Sequence, residues 1–226
     1  VLDRPNPNGH YIDGPVLENE FKSFVGMHRV PIVYGMTIGE FSLMINNEGW
    51  LNNKVNCDLS VIPMKNYYRE KSYNLPIRPS PNLPNSKSID LYPSLCFFEQ
   101  TPVSVGRGTN MQFQVFGNPN WENLSFSFTP KSMEGAKYPK HENINCFGID
   151  LRKHPKNNEI NINWLLFAYN NSNDKKSFFR SGFNRLAGND KLKKQIIEGV
   201  DVKKIKKSWE KGIKEFMSIR SKYLIY

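Results

Sequence analysis

The segment from Pro31 to Phe41 predicts a strand, a tight turn and the start of a helix. Its extended apolar run stops at Gly35, and after Thr37 the apolar residues follow helical spacing. The helix is predicted to end near Gly49, a residue type that often follows the last helical turn. A strand followed by a helix is the unit from which α/β folds are built. This segment therefore constrains the fold class more than any other in the chain.

Glu40, in the first turn of that helix, has two interpretations. One is a capping box, in which Thr37 is the N-cap and Glu40 the third helical residue, each satisfying an unpaired backbone N–H. The other is a catalytic carboxylate at the rim of a sheet. The positive end of the helix dipole favours an ionised carboxylate, which suits a base or a nucleophile better than a general acid. The two interpretations are compatible, and both stay open from the local sequence.

Two further apolar runs, Leu59–Met64 and Leu95–Glu99, predict strands, and a short helix is predicted between them at about 86–93. Alternation of strands and helices predicts an α/β fold with a parallel sheet. In such a sheet ligands bind beyond the carboxyl ends of the strands. Those ends are the loops that start at Asp3, Met64 and Glu99.

The pattern changes at about residue 118. Short strand-like runs at 124–128 and 146–151 are followed by predicted helices at about 160–170, at about 190–198 and from residue 201. We therefore divide the chain into an α/β region, 1–117, and an auxiliary α+β region, 118–226.

The chain has a formal net charge of +10, and a basic protein can bind nucleic acid. Seven of those charges come from residues 191–226, where eleven Lys and Arg face four Asp and Glu on predicted amphipathic helices. A solvated helix face explains this excess. Nucleic-acid binding is not favoured, because aromatic and basic residues do not interleave on one predicted surface.

The sequence predicts neither a metal nor a cofactor. Cys57, Cys96 and Cys146 are far apart, and no His-Glu-x-x-His or phosphate-binding glycine motif is present. Cys57 and Cys96 lie in strand-like runs and are predicted to be core residues. The apolar runs are too short for a membrane span. Because the chain opens with what resembles a buried strand at Val1 and has no initiator Met, we expect further sequence upstream.

Carboxylates, arginines, asparagines and tyrosines remain as candidates, and such groups are typical of carbohydrate sites. Glycoside hydrolysis usually requires two carboxyl groups. The candidate set comprises Asp3, Asp13, Glu40, Glu99, Arg4, Arg107, Asn6, Asn82, Asn110, Tyr34, Tyr67 and Tyr68.

Some of these candidates also have structural interpretations. Asp3 and Arg4 can form an ion pair. Arg107 can hold loop carbonyls, and Asn82, between prolines, can form a turn.

Several motifs occur in an order that resembles one known family over essentially the whole chain. They are Leu-Asp-Arg-Pro-Asn-Pro at 2–7, Gly-Met-Thr-Ile-Gly-Glu at 35–40, Pro-Ser-Pro-Asn-Leu-Pro at 79–84, Tyr-Pro-Ser-Leu-Cys at 92–96, Val-Gly-Arg-Gly-Thr at 105–109, Glu-Gly-Ala-Lys at 134–137 and Ile-Arg-Ser-Lys-Tyr-Leu-Ile-Tyr at 219–226. Together they resemble the exo-β-N-acetylmuramidases, and their phrasing is most similar to Bacteroidetes members.

The resemblance implies a periplasmic or secreted hydrolase that removes N-acetylmuramic acid from the non-reducing ends of peptidoglycan fragments. It implies a Rossmann-like domain, here residues 1–117, and an auxiliary domain, with the active site in the cleft between them. By motif match Glu40 becomes the catalytic candidate. The implied substrate-binding residues are Asp3, Arg4, Asn6, Asn82 and Arg107.

The chain departs from the family pattern at several points. Asp13 stands where many members have Glu, and Tyr34 stands where His is frequent. Because family members are considerably longer at the N-terminus, we expect the first half of the Rossmann-like domain to be missing from these residues. A non-catalytic fragment that binds peptidoglycan or muramic acid is therefore the alternative.

Overall fold

The strands of the chain form two small antiparallel sheets. The computed structural model describes all residues, 1–226. The first sheet pairs two strands, β1 and β2, and the second has the order β3-β5-β4. The bounds are β1 Asp13–Val16, β2 Pro31–Val33, β3 Val115–Asn118, β4 Phe126–Phe128 and β5 Cys146–Asp150.

The chain has seven α-helices. The bounds are α1 Ile38–Asn47, α2 Ser86–Leu95, α3 Asn163–Asn170, α4 Phe183–Ala187, α5 Lys191–Ile197, α6 Val202–Lys207 and α7 Glu210–Arg220. The helices predicted from Thr37 and at 86–93 are confirmed as α1 and α2. The single helix predicted from residue 201 is two helices, because the chain leaves the helical pattern between Lys207 and Glu210.

Parallel pairing is limited to one bridge, between Leu2 and Ile62. The Asp3 backbone N–H donates to the Ile62 carbonyl at 3.1 Å, and the Ile62 N–H donates to the Val1 carbonyl at 2.9 Å. The mixed α/β class is confirmed, whereas both complete sheets are antiparallel and the predicted parallel sheet is reduced to this bridge.

The strand predicted at 95–99 is wrong. Leu95 is the last residue of α2, and Cys96–Gln100 continue as a 3₁₀-helix. Phe97 and Phe98 are fully buried. A short, continuously apolar run fits a buried helix as well as a buried strand, so its periodicity cannot separate them.

One large core of 26 buried residues draws on both predicted regions. Within it the rings of Phe98 and Phe116 stack with centroids 5.1 Å apart. Trp209 is also buried there. Residue 117 lies within β3, and the division of the chain at that point stays a prediction.

Most basic side chains of the last three helices face solvent, as predicted. Lys193, Lys206 and Arg220 are half-buried, and Lys206 pairs with Asp13 and Glu159. Cys57 is exposed, so its predicted core position is wrong: the run around it is irregular chain tied to α1 through Asn46. None of the helices is long and apolar enough to traverse a bilayer.

Candidate functional site

The N-terminus of α1 is a complete capping box. The Thr37 hydroxyl accepts from the Glu40 backbone N–H at 3.3 Å, and Glu40 Oε2 accepts from the Thr37 N–H at 2.9 Å. The structural interpretation of this pair is confirmed.

The second carboxylate oxygen of Glu40 is also occupied. Oε1 accepts from Arg69 Nη2 at 2.6 Å and from the Ile225 backbone N–H at 2.9 Å. Glu40 has no solvent exposure, so this is a buried ion pair. The arrangement closes Glu40 off from substrate in this conformation, and its acid/base role stays a prediction.

Asp3 supports the same helix terminus. Its Oδ1 accepts from the Gly39 N–H at 2.8 Å, and its Oδ2 accepts from the Thr37 hydroxyl at 2.7 Å. Gly39 is required here because a Cβ would lie 2.7 Å from Asp3 Cγ and 2.6 Å from Val61 Cγ1. Asp3 therefore contributes to the folding of the strand-to-helix turn.

Two further predicted residues, Arg4 and Asn6, bond to backbone carbonyls near this turn. The Arg4 guanidinium donates to the Asp3 main-chain carbonyl at 2.9 Å, so the suggested ion pair between the two side chains is not formed. Asn6 Nδ2 donates to the Met36 carbonyl at 2.9 Å. Asp13 is likewise structural, because it accepts from the Ile160 N–H at 2.7 Å.

A second group of predicted residues converges on the loop at 134–137. Asn82 Nδ2 donates to the Gly135 carbonyl at 2.8 Å, and Arg107 Nη2 donates to the same oxygen at 3.3 Å. Gly135 has φ of +77°, and a Cβ there would lie 2.6 Å from Pro81. The loop is thus held against the proline-rich segment by two of the residues that the sequence singled out. Arg107 Nη1 also donates to Glu99 Oε1 at 3.0 Å.

Lys140 fixes the segment that carries Glu99. Its Nζ lies within hydrogen-bond distance of four main-chain carbonyls, those of Phe98, Glu99, Thr101 and Val103, at 2.7–3.3 Å. A cation at the end of a short helix satisfies carbonyls that have no helical partner. Burial, followed by the charge of Arg180, lowers the pKa of Lys140 to about 7.

These groups line a cavity of about 420 Å³, a size that suits a small organic ligand. Its wall contains one carboxylate and four basic side chains, with Tyr138 at the edge. The charged lining residues are Glu99, Arg107, Lys137, Lys140 and Arg180.

A larger and more apolar cavity of about 510 Å³ adjoins the first, since Glu99 lines both. Its wall includes the aromatic rings of Tyr34, Phe41 and Tyr92. Phe24, at the tip of the turn closed by the Ser23–Gly26 bridge, is 93% exposed beside it. Polar groups on one side and aromatic faces on the other form a cleft centred on Glu99.

The structure therefore separates the predicted site residues into two groups. Arg107 lies in the cleft and Asn82 supports its loop, whereas Asp3, Arg4, Asn6 and Glu40 surround the α1 N-terminus and line neither cavity. The sequence did not identify Lys140 or Arg180. Lys137 was visible only as the end of the motif at 134–137. The structure contains no group of three or more His, Cys, Asp or Glu side chains that could hold a metal ion.

Comparison with known proteins agrees with the motif order. Two models of the family Exo-beta-N-acetylmuramidase NamZ match the chain. The N-terminal model matches residues 1–87, and the C-terminal model matches residues 90–226. The chain belongs to the NamZ exo-β-N-acetylmuramidase family. A curated relative, the peptidoglycan β-N-acetylmuramidase NamZ of Bacillus subtilis (strain 168), is 34% identical over 247 residues. The match covers all of this chain and 59% of that protein, so the chain spans about three fifths of the relative's length.

Two solved structures from Bacteroides fragilis NCTC 9343, both of DUF1343 family proteins, share the fold. One is 48% identical with a TM-score of 0.96, and the match covers all of this chain and 65% of that chain. The other is 23% identical with a TM-score of 0.82, covering 99% of this chain and 65% of that chain. The family and its fold are thus established for these residues.

Proposed function

We propose that this chain is an exo-acting glycoside hydrolase that releases N-acetylmuramic acid from the non-reducing ends of peptidoglycan fragments. Membership of the NamZ family and the peptidoglycan β-N-acetylmuramidase activity of the Bacillus subtilis relative support the reaction class. We also propose a periplasmic or secreted location, because the proposed substrate is part of the cell wall. We further propose that the Leu2–Ile62 parallel bridge belongs to a larger Rossmann-like sheet.

The observation that carries this proposal is the cleft around Glu99. Sugars are bound by side chains that hydrogen-bond their hydroxyls and by aromatic rings that cover their apolar faces. The cleft offers both, with Glu99 and Arg107 on one side and Tyr34 and Tyr92 on the other. The combined cavity volumes are ample for an N-acetylated hexose.

Glycosidases usually act through a pair of carboxyl groups that flank the scissile bond. Glu99 is the carboxylate that lines both cavities, and we assign it to direct contact with the saccharide. Glu40 reaches substrate as an acid or base only if the contacts with Arg69 and Ile225 open. We therefore keep the acid/base role of Glu40 as a prediction and assign its observed contacts to positioning of α1.

A non-catalytic muramic-acid-binding role is the second candidate. The complete burial of Glu40 favours this role, because it leaves Glu99 as the accessible carboxylate of the cleft. Such a cleft binds a sugar but lacks the pair of carboxyl groups that hydrolysis usually needs. Binding of N-acetylmuramic acid without turnover distinguishes this role from the first.

Hydrolysis of a chromogenic β-N-acetylmuramide by this chain tests the proposal, with the matching N-acetylglucosaminide as the control substrate. We expect turnover of the muramide that is reduced in Glu99→Gln. Absence of turnover in the wild-type chain, together with measurable binding, selects the second candidate. Unchanged turnover in Glu40→Gln removes Glu40 from the mechanism.

A further inference from the structure

The cavity beside Glu99 carries unbalanced positive charge. Of its four basic side chains, Arg107 forms an ion pair with Glu99, whereas Lys137, Lys140 and Arg180 have no carboxylate within 4 Å. After that pair is counted, Lys137 and Arg180 remain as unpaired cations, and Lys140, whose pKa burial lowers to about 7, adds part of a further charge. Positive groups gathered in a concave space attract an anionic ligand more strongly than the same groups on an open surface.

We propose that this cavity is an anion subsite in which Lys137, Arg180 and Arg107 bind the carboxylate of the lactyl ether that distinguishes N-acetylmuramic acid from N-acetylglucosamine. The identity of the ligand rests on the proposed function, and the subsite itself rests on the geometry. Lys137 and Arg180 are the specificity-determining residues in this assignment.

The contacts of each cation define its role in the subsite. Lys140 is engaged with main-chain carbonyls, so its donors are already used and it does not bind the ligand directly. Arg107 is shared among Glu99, Gly135 and the cavity. Lys137 lies over the Tyr138 ring, and Arg180 is tied to the fold by its backbone N–H, which donates to the Gln100 carbonyl. The side chains of Lys137 and Arg180 are exposed and form no ion pair.

The location of the subsite explains how it reads one substituent of a sugar. Glu99 lies at the junction of the basic and the aromatic cavity. A pyranose ring placed against Tyr34 and Tyr92 directs one substituent past Glu99 into the basic cavity. The Arg107–Glu99 pair lowers the repulsion that the Glu99 carboxylate would exert on an incoming carboxylate. Neutral sugars leave the basic cavity filled with water.

The test compares three ligands by isothermal titration calorimetry on the whole chain: N-acetylmuramic acid, its methyl ester and N-acetylglucosamine. Charge-assisted hydrogen bonds are strong enough that we expect the acid to bind about tenfold or more tightly than the ester. The double variant Lys137→Gln/Arg180→Gln loses that preference. The matched control is Lys175→Gln/Lys211→Gln, since Lys175 lies over the Tyr169 ring as Lys137 lies over Tyr138.

Each result has a defined meaning. Preference for the acid in the wild type and the control, lost in Lys137→Gln/Arg180→Gln with an unchanged thermal midpoint, supports the subsite. Equal affinities for acid and ester in the wild type, no binding of either, or equal loss in the control overturn it. Turnover of the muramide with no preference for the acid rejects the subsite and leaves the proposed function standing. A preference for the acid without turnover of the muramide supports the subsite and rejects the proposed hydrolase activity.

Discussion

The Arg107 guanidinium and the Glu99 carboxylate form an ion pair of 3.0 Å between two cavities of different character. On one side of the pair lie further basic groups, and on the other lie aromatic rings. Asn82 and Arg107 hold the loop beside it through the Gly135 carbonyl. The residues that touch a saccharide are therefore assigned to this cleft, and those around Glu40 are assigned to the scaffold.

Glu40→Gln is expected to destabilise the fold, because it leaves the Arg69 guanidinium without a charged partner in a buried site. Loss of one partner of a buried pair costs about 3 kcal/mol. Urea unfolding measures the change, with Glu70→Gln as the exposed carboxylate control. An unfolding free energy within 0.5 kcal/mol of the wild type, roughly the effect of a surface substitution, contradicts the scaffold assignment.

Gly39→Ala is expected to lower stability by about 2 kcal/mol, since the new methyl group overlaps Asp3 Cγ and Val61 Cγ1. Ala is otherwise the better helix former, so a gain in stability shows that the contact relaxes without cost. Gly26→Ala is the control, because its Cβ makes only ordinary contacts at 3.5 Å or more. Thermal unfolding of the two variants gives the comparison.

The pKa of Lys140 predicts a pH dependence of stability. Burial and Arg180 lower it to about 7 from 10.5, outweighing the opposite effect of Glu99, and Arg107 acts in the same direction as Arg180. Between pH 7 and 10.5 the unfolded chain therefore binds more protons at this residue than the folded chain. The contribution of Lys140 to the free energy of unfolding rises with pH in that window, by up to about 1.4 kcal/mol per pH unit.

Lys140→Arg isolates this effect, because arginine keeps the charge and the donors but does not titrate in that window. We expect the stability difference between wild type and variant to shift in favour of the wild type from pH 7 to pH 9. A difference that is constant with pH shows that Lys140 stays protonated in the folded state.

Features whose partners are close together in the chain could be predicted from the sequence, whereas contacts between distant residues could not. The Thr37–Glu40 capping box was predictable because its partners are three residues apart and its pattern is specific. The Arg69 partner of Glu40 is 29 residues away, and no periodicity links them. The strand prediction at 95–99 is wrong because a buried helix and a buried strand share the same apolar composition.

The contacts within the cleft also join residues that are distant in the sequence. Arg107 and Asn82 were singled out as residue types suited to sugars, and their shared contact with Gly135 needed the fold. Lys140 and Arg180 come from distant parts of the chain, and in a protein with 31 Lys and Arg nothing local distinguishes them. Side-chain chemistry suggested the ligand class, whereas tertiary packing decides which of those side chains meet.

The three thiols are expected to differ in reactivity. Burial raises the pKa of Cys96 and of Cys146 to about 12, and Cys57 is exposed. Because the thiolate is the reactive form, Ellman's reagent should modify one thiol rapidly in the native chain and three after denaturation. In Cys57→Ser the fast phase should disappear. Rapid reaction of two thiols in the native chain contradicts the raised pKa of Cys96 or of Cys146.

A crystal structure of this chain soaked with N-acetylmuramic acid measures most directly where the saccharide binds. We predict electron density in the cleft, with the lactyl carboxylate within hydrogen-bond distance of Lys137, Arg180 or Arg107 and the sugar ring beside Glu99. Density for the sugar at the α1 N-terminus in contact with Glu40, with the cleft empty, would contradict it.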